Sequence, residues 1–290
     1  MKYYTYFPGC SCSEGTARAY GRSAQAVSKA LEVELIELED WNCCGCMPFK
    51  SVDEMASLCL ATRDLALAEK RGFDLVTPCS CCYNTLKRTN VTLKQYPQIK
   101  AKVDEALSAA GLEYHGTVRV RHLLDIFVND VGYDAIKARV RRNLGNLKLA
   151  AYYGCHIVRP VFGFDHPESP QSLDKLIASL GGEPVPFPLK TRCCGGSLII
   201  SEEALALDLI RKLLDSASSN GAECLVTVCP LCQTNIDAYQ NQINRKFKTN
   251  FNLPVIFFTQ LMGVAFGLSD EVLGLKMSIV PVEKVLAKYL

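Results

Sequence analysis

Two periods in the spacing of hydrophobic residues divide the chain into predicted strands and helices. Short apolar or aromatic runs predict strands, whereas longer stretches with an apolar residue every three or four positions predict helices. In the first half, strands are predicted at residues 2–7, 33–38 and 73–77. In the second half, they are predicted at residues 147–153, 183–189 and 223–228. Three prolines make the run at 183–189 an edge or irregular strand.

Amphipathic stretches between these runs predict the helices. They lie at residues 13–31, 51–71, 83–110, 118–142, 170–180 and 202–219, with a further helix from residue 233. We expect breaks at Pro97 and Gly132, since neither residue suits a helix interior. Ser51, followed by Glu54 three residues later, predicts a capping box at the start of the second helix.

Strands that alternate with helices predict a parallel sheet in each half of the chain. The expected fold class is therefore α/β, with two similar Rossmann-like, parallel-sheet domains related by internal duplication. We expect the first domain over residues 1–146, including a helical connector at 118–142, and the second over residues 147–290. Each length is sufficient for a domain with its own core.

Composition narrows the class of protein. The 290 residues are 49% hydrophobic and 21% charged, which is typical of a globular protein. A net charge of +2 provides no electrostatic basis for binding nucleic acid or an anionic membrane. No 18-residue apolar run predicts a transmembrane segment, and the N-terminus does not resemble a secretory signal. We therefore expect a cytoplasmic protein with reduced thiols.

Ten of the fifteen cysteines form a pattern that occurs twice. Each copy consists of a single Cys, a Cys-Cys-Gly sequence and a Cys-x-x-Cys sequence. In both copies 34 residues separate the Cys pair from the Cys-x-x-Cys sequence. The single Cys precedes the pair by 32 residues in the first copy and by 37 in the second. All five cysteines of a copy follow predicted strands, so we expect them to meet at the carboxyl edge of one parallel sheet.

Five thiols at one point indicate metal binding. Thiolates are soft ligands that select zinc, copper(I) or iron–sulfur clusters. A structural zinc ion takes four ligands, so each set has one thiol more than a single zinc needs. A multi-iron cluster can use all five. The usual ferredoxin run of cysteines is absent, so the chain lacks an electron-transfer cluster of that type.

The duplicated pattern, with openings that read YFPGC and YYGCH, resembles the CCG-domain (cysteine-rich domain) family. The two-copy arrangement is similar to the B subunit of heterodisulfide reductase and its relatives in sulfur-oxidising bacteria. This resemblance implies two non-cubane 4Fe-4S clusters that face a shared cavity in which a disulfide is cleaved. The implied ligands of the first cluster are Cys10, Cys43, Cys44, Cys79 and Cys82. Those of the second cluster are Cys155, Cys193, Cys194, Cys229 and Cys232.

The resemblance also implies an oxidoreductase that acts on sulfur groups within a multi-subunit complex. The implied partners are a ferredoxin-like C subunit with ordinary 4Fe-4S clusters and a flavin-containing A subunit. The implied substrate is a small disulfide or a carrier-bound thiol; the coenzyme M–coenzyme B heterodisulfide and a lipoate-bound sulfur both remain open. Two alternatives are a non-catalytic electron-transfer subunit, as in glycolate and lactate oxidation, and a module stabilised by zinc at one site.

Several residues beside the motifs are further candidates. His156 follows Cys155 directly and could protonate a leaving thiolate. Cys12, Cys46 and Cys81 are additional thiols that could replace a ligand or act in redox chemistry near the first site. Cys59 and Cys224 are predicted to be core residues. Candidates for lining the cavity are Trp41, Arg159, Lys190 and Arg192.

The two thiol sets are expected to face each other. Cleavage of a disulfide produces two thiolates, and two facing sites can stabilise one sulfur each. We therefore predict a pseudo-two-fold arrangement in which the carboxyl ends of the strands in the two domains point toward each other. Sets on separate faces of the protein would instead support simple electron transfer.

Overall fold

Two four-stranded sheets with the same strand order form the frame of the protein. The structure, a computed structural model, describes residues 1–47, 49–159 and 163–290. The first sheet contains β1 (Lys2–Tyr6), β2 (Val33–Glu37), β3 (Leu75–Thr77) and β4 (Val120–His122), in the order β2-β1-β3-β4. The second contains β5 (Lys148–Tyr152), β6 (Glu183–Pro184), β7 (Cys224–Thr227) and β8 (Val255–Phe257), in the order β6-β5-β7-β8. Every pair of neighbouring strands is parallel, which confirms the predicted fold class.

Helices connect the strands in both halves. Those of the first half are α1 (Cys10–Ser13), α2 (Arg18–Ala30), α3 (Phe49–Val52), α4 (Glu54–Arg71), α5 (Ser80–Gln95), α6 (Pro97–Ala109), α7 (Leu123–Asp125) and α8 (Tyr133–Ala138). Those of the second half are α9 (Ser172–Ser179), α10 (Leu198–Ser201), α11 (Glu203–Ser219), α12 (Pro230–Ala238), α13 (Gln240–Phe247), α14 (Phe258–Ala265), α15 (Asp270–Leu273) and α16 (Glu283–Leu286). A π-helix covers Ile126–Val131, and 3-10 helices cover Leu275–Met277 and Ala287–Tyr289. None of the helices in the described parts of the chain is long and apolar enough to cross a membrane.

The prediction of a helical connector at 118–142 was wrong at its start. Residues Val120–His122 form β4, which pairs with β3 and completes the first sheet. Val118 and Val120 alternate with two arginines in the sequence, which is the period of a strand rather than of a helix. Arg121 is nevertheless buried as well, where it pairs with Asp125 and Asp130. The predicted break at Gly132 is confirmed, because α8 begins at the next residue. β8 was also missed, since its three residues lie within an apolar run with no strand-like alternation.

The capping box predicted at Ser51 was also wrong. Ser51 lies within the short helix α3, and Asp53 is the N-cap of α4. The Asp53 carboxylate accepts a hydrogen bond of 2.9 Å from the backbone N–H of Ala56. Asp is as good an N-cap residue as Ser, and here it is followed directly by an acidic residue that suits the helix N-terminus.

The two halves pack through reciprocal contacts around a pseudo-two-fold axis. Helix α2 of the first half packs against β8 and α14 of the second, where Tyr20 stacks on Phe257 with ring centres 4.2 Å apart. Ser23 on α2 and Thr259 on α14 share a buried hydrogen bond of 2.6 Å. In the reciprocal position, α9 of the second half packs against α7 and α8 of the first. The domain boundary at 146 and 147 remains a proposal; it falls between β4 and β5.

We expect Tyr20→Ala to lower the free energy of unfolding by about 3 kcal/mol or more, because it removes a fully buried aromatic ring from this interface. Urea titration of the full chain measures the effect. Tyr96→Ala is the matched control, since that ring is 47% exposed. Equal losses in the two variants would contradict the importance assigned to the contact with Phe257.

Candidate functional site

The ten repeated cysteines lie beyond the carboxyl ends of the first three strands of each sheet, as predicted. Cys10 follows β1, Cys43 and Cys44 follow β2, and Cys79 follows β3 as the N-cap of α5. The second half repeats this arrangement after β5, β6 and β7, with Cys229 as the N-cap of α12. Both N-cap thiols therefore lie at the positive dipole end of a helix, and neither forms a side-chain hydrogen bond to the first amides of that helix.

Contacts between sulfur atoms join the five thiols of each set. The Sγ atoms of Cys44 and Cys82 are 3.4 Å apart, and those of Cys194 and Cys232 are 3.6 Å apart. Cys10 and Cys43 are close enough that each thiol shifts the pKa of the other, and the same holds for Cys155 and Cys193 in the equivalent place. Each half therefore brings its predicted thiols together, and the two sets have the same internal arrangement.

The two sets meet where the halves pack. The Sγ atoms of Cys81 and Cys229, which lie in different halves, are 3.9 Å apart. Cys79, Cys81 and Cys229 form a buried group whose sulfur atoms all lie within 4.8 Å of one another. The predicted arrangement of facing sets is confirmed, since the Cys-x-x-Cys sequences of the two halves adjoin across the interface.

The outer thiols, Cys10 with Cys43 and Cys155 with Cys193, share protons in the same way in both sets. Hydrogen bonds from Cys10 and Cys44 lower the pKa of Cys43, and hydrogen bonds from Cys155 and Cys194 lower the pKa of Cys193. The same contacts raise the pKa of Cys10 and Cys155. The partners of these thiols are mainly other thiols and backbone amides, so a further loss of protons calls for a cation at the centre of each set.

This donor set fits a thiolate-bound metal group. Five soft sulfur donors, mostly buried, are the ligands that iron–sulfur clusters use and are one more than a structural zinc ion takes. The outer cysteines of the two sets differ in exposure. Cys10 and Cys43 are exposed, whereas Cys155 and Cys193 are half-buried. The first set therefore opens more directly to the surface.

Glycines allow the backbone to pass close to the sulfur atoms. Gly9 and Gly154 precede the single cysteines and have φ values of +71° and +68°. A Cβ atom on Gly9 would lie 2.9 Å from the Sγ of Cys82, and one on Gly154 would lie 3.0 Å from the Sγ of Cys232. Both the conformation and the available space exclude a side chain, which explains the shared Gly-Cys sequence of the two openings.

The additional thiols occupy different places. Cys81 points to the second half, and the Cys46 thiol donates a hydrogen bond of 3.6 Å to the carbonyl oxygen of Met47. Cys12 is buried beneath the first set. Cys224 is fully buried in β7, as predicted for a core residue, and Cys59 is partly buried against the core.

His156 lines a small cavity beside the second set. The cavity has a volume of about 50 Å³, and its walls include the five cysteines of that set, Cys81 and Met47. The Nδ1 atom of His156 is buried and has no hydrogen-bond partner among the described residues. Its backbone carbonyl accepts a 3.1 Å hydrogen bond from the Asn84 side chain of the first half. A buried ring nitrogen without a partner is available to a ligand.

A larger groove adjoins this cavity and shares Met47 and His156 with it. The groove has a volume of about 350 Å³ and runs along α5, where Thr85, Arg88, Thr89 and Thr92 recur at helical spacing. Its opposite wall carries Lys50, which pairs with Glu54 at 3.1 Å. Arg88 forms no ion pair with a described residue, so it provides the unpaired positive charge of the groove.

The other candidates for lining the cavity have different surroundings. Lys190 pairs with Asp174 at 3.2 Å, and the Trp41 indole donates a hydrogen bond to Glu37. Neither residue lines the cavity, nor does the exposed Arg192. Arg159 lies near enough to the Cys155 thiol to act on it electrostatically, although its effect is smaller than that of Cys193.

Three side chains of the first half form hydrogen bonds with the carbonyl group that precedes Cys229. The sequence analysis did not identify any of them. The carbonyl oxygen of Val228 accepts hydrogen bonds from Ser80 at 3.0 Å, His122 at 3.3 Å and Tyr20 at 3.4 Å. The Nδ1 atom of His122 accepts from the N–H of Leu124, so its Nε2 atom is the protonated one. Burial lowers the pKa of His122 to about 4 and keeps the ring neutral. No sequence signal marks these residues, because their partner is a backbone atom of the other half.

Two parallel-sheet units that bring ten thiols together define a cysteine-rich α/β protein with a candidate metal-binding site. The sequence matches the cysteine-rich domain (CCG) family over residues 4–87 and 149–237. The chain therefore belongs to this family and carries two copies of its domain.

Curated relatives match over most of the chain. It is 33% identical to the 8-methylmenaquinol:fumarate reductase membrane anchor subunit of Wolinella succinogenes, over 98% of this chain and 99% of the relative. It is 33% identical to the B subunit of the ferredoxin:CoB-CoM heterodisulfide reductase of Methanosarcina mazei, over 89% of this chain and 87% of the relative. A protein of Archaeoglobus profundus that is described as like the B subunit of heterodisulfide reductase is 30% identical over 93% of both chains.

A solved structure supports the fold. A hypothetical protein from Helicobacter pylori superposes with a TM-score of 0.76 at 17% identity, over 96% of this chain. This chain spans about half of the Helicobacter pylori chain, 52% of its length. At this identity the similarity shows a common architecture only.

We expect Gly154→Ala to destabilise the protein more than Gly72→Ala, as measured by the free energy of unfolding in urea. Both glycines have positive φ values, which cost an L-residue about 1 kcal/mol. Only at Gly154 would the added methyl group also approach a sulfur atom, whereas nothing lies within 4 Å of the corresponding position at Gly72. Equal losses would show that the approach to Cys232 carries no cost.

Proposed function

We propose that this chain is an oxidoreductase subunit like the B subunit of heterodisulfide reductase, and that it interconverts a disulfide and two thiols between two iron–sulfur sites. The observation that supports this most is the meeting of two equivalent five-thiol sets, with sulfur atoms of both halves within 4.8 Å. Facing sites of this kind suit a substrate with two adjacent sulfur atoms. The relatives named as heterodisulfide reductase subunits support the same reaction class.

Each set would hold one 4Fe-4S cluster of the non-cubane type. The proposed ligands are Cys10, Cys43, Cys44, Cys79 and Cys82 for the first, and Cys155, Cys193, Cys194, Cys229 and Cys232 for the second. Cys82 is preferred to Cys81 because its contact with Cys44 matches the contact between Cys232 and Cys194. When bound, such clusters supply electrons one at a time.

The overall reaction consumes one disulfide, two electrons and two protons and yields two thiols. We propose that the electrons come from a ferredoxin-like C subunit, in a complex that also contains a flavin-containing A subunit. The exposed edge formed by Cys10 and Cys43 is the proposed side of electron entry. His156 is the proposed proton donor to a leaving thiolate, since the residue lines the cavity and its Nδ1 atom has no hydrogen-bond partner among the described residues.

Substrate would reach the cavity through the groove along α5. The groove and the cavity share Met47 and His156, so a molecule that fills the groove lies beside the proposed proton donor. Arg88 would bind an anionic end of the substrate, because it is a guanidinium without an ion-pair partner among the described residues.

Metal analysis with two variants tests the clusters. The chain purified without oxygen should contain about eight irons and eight acid-labile sulfides, as two four-iron clusters require. Cys194→Ser should lose about half of this iron, because a serine oxygen is a harder and poorer ligand. Cys59→Ser is the control and should retain all of it. A colourless protein that contains only zinc, or equal iron loss in both variants, would overturn the assignment.

The groove predicts how Arg88→Ala acts on kinetics. With a disulfide that carries carboxylates, we expect KM to rise about tenfold with kcat nearly unchanged, since the lost contact acts on binding. A neutral disulfide of similar size should show no change. Lys102→Ala, which removes an exposed charge on α6, is the matched control. A reductase that responds identically to both disulfides would refute the role of Arg88 without refuting the reaction.

A second candidate function rests on the relative from Wolinella succinogenes, whose whole length this chain covers. The short helices that follow the two Cys pairs also present exposed apolar side chains, with Val52 84% and Ile200 83% exposed. A subunit of a quinol-dependent reductase would use such a surface near its metal sites. Reduction of the bound clusters by a menaquinol, but not by a ferredoxin-like partner, would favour this candidate over disulfide chemistry.

A further inference from the structure

Cys81 belongs to the first half of the chain but borders the second site. Its side chain lines the cavity whose other thiols are the five of the second set. Cys81 is 5% exposed, and its Sγ atom lies 3.9 Å from that of Cys229. The family pattern does not use this thiol, since the corresponding position of the second copy is Leu231. Leu231 lines the same cavity but carries no hydrogen-bond donor.

The direction of the hydrogen bond between Cys81 and Cys229 follows from the ligand assignment. Either sulfur atom could be the donor when both are thiols. A cysteine that binds a metal is a thiolate, which has no proton to donate. If Cys229 is a ligand, then Cys81 must hold the shared proton.

We propose that the Cys81 thiol donates a hydrogen bond to the metal-bound sulfur of Cys229 and thereby raises the reduction potential of the second site. This inference rests on the proposed function, because it assumes a cluster bound by Cys229. A cluster becomes more negative when it is reduced, and a donor aimed at one of its sulfur ligands stabilises that added charge. Hydrogen bonds to cluster sulfurs are among the factors that set such potentials.

The greater burial of the second site makes a hydrogen-bond donor more important for its reduction potential. Its outer ligands Cys155 and Cys193 are half-buried, whereas Cys10 and Cys43 of the first site are exposed. Burial makes the addition of negative charge more costly, so it lowers the potential of the more enclosed site. The hydrogen bond from Cys81 opposes this effect. The second half provides no equivalent thiol donor to the first site, because Leu231 occupies the position that corresponds to Cys81.

Cys81 is therefore a positioning residue that acts through Cys229. Two variants separate the donor from the space that the side chain fills. Cys81→Ala removes the proton, whereas Cys81→Ser keeps an O–H donor at nearly the same place. Cys59→Ala is the control for loss of a thiol outside both sites. The measurement is a reductive titration of the iron-loaded full chain, followed by electron paramagnetic resonance, together with its iron content.

We expect Cys81→Ala to retain all its iron and to shift the midpoint of one cluster to a lower potential. Cys81→Ser should keep that midpoint near the unmodified value, and Cys59→Ala should change neither midpoint. In a Cys194→Ser background, which lacks the second cluster, Cys81→Ala should no longer shift anything. This last result assigns the effect to the second site.

Each other outcome has a definite meaning. Iron loss in Cys81→Ala would make Cys81 a ligand and overturn the proposal. Unshifted midpoints, or equal shifts in the Ala and Ser variants, would also overturn it, since the donor would then have no effect. A chain that binds no iron at all would refute the proposed function itself, whereas an iron-loaded chain with unshifted midpoints refutes only the role of Cys81.

Discussion

The crowding of buried sulfur atoms at one interface is the constraint on which the rest of the structure depends. Thiols at this density compete for protons, and few basic side chains are close enough to compensate a further negative charge. A bound cation is the physical solution, because soft metals compensate several thiolates at once. Three features bring the sulfur atoms within contact distance of one another. They are the parallel sheets, the N-cap positions of Cys79 and Cys229, and the glycines next to the single cysteines.

The interface between the halves determines how the two sites relate. Reciprocal packing of α2 on α14 and of α9 on α8 places the carboxyl ends of both sheets against each other. The Val228 carbonyl, held by three side chains of the first half, then sets the position of the second Cys-x-x-Cys sequence. Each half supplies all five thiols of its own set, but residues of the other half border each set.

The two copies differ at several positions close to where they meet. Ser80, Cys81 and Cys46 of the first copy correspond to Pro230, Leu231 and Gly196 of the second. Ser80 bonds across the interface, and Cys81 faces the second site. The internal duplication therefore preserves the set of thiols, while substitutions at the contact make the surroundings of the two sites different. Two sites that have identical ligands but different surroundings can therefore differ in reduction potential.

The sequence by itself determined the fold class, six of the eight strands and the grouping of thiols within each half. It could do so because these features depend on local periodicity and on spacing that recurs along the chain. It did not reveal β4 and β8, which are three-residue strands whose pairing depends on the sheet they complete. Only the tertiary structure decided that Cys81 contacts the second site, that His122 bonds to the Val228 carbonyl, and which side chains border His156. Cys81 and Cys229 are 148 positions apart, so their contact depends on how two sheets pack and leaves no pattern in the order of residues.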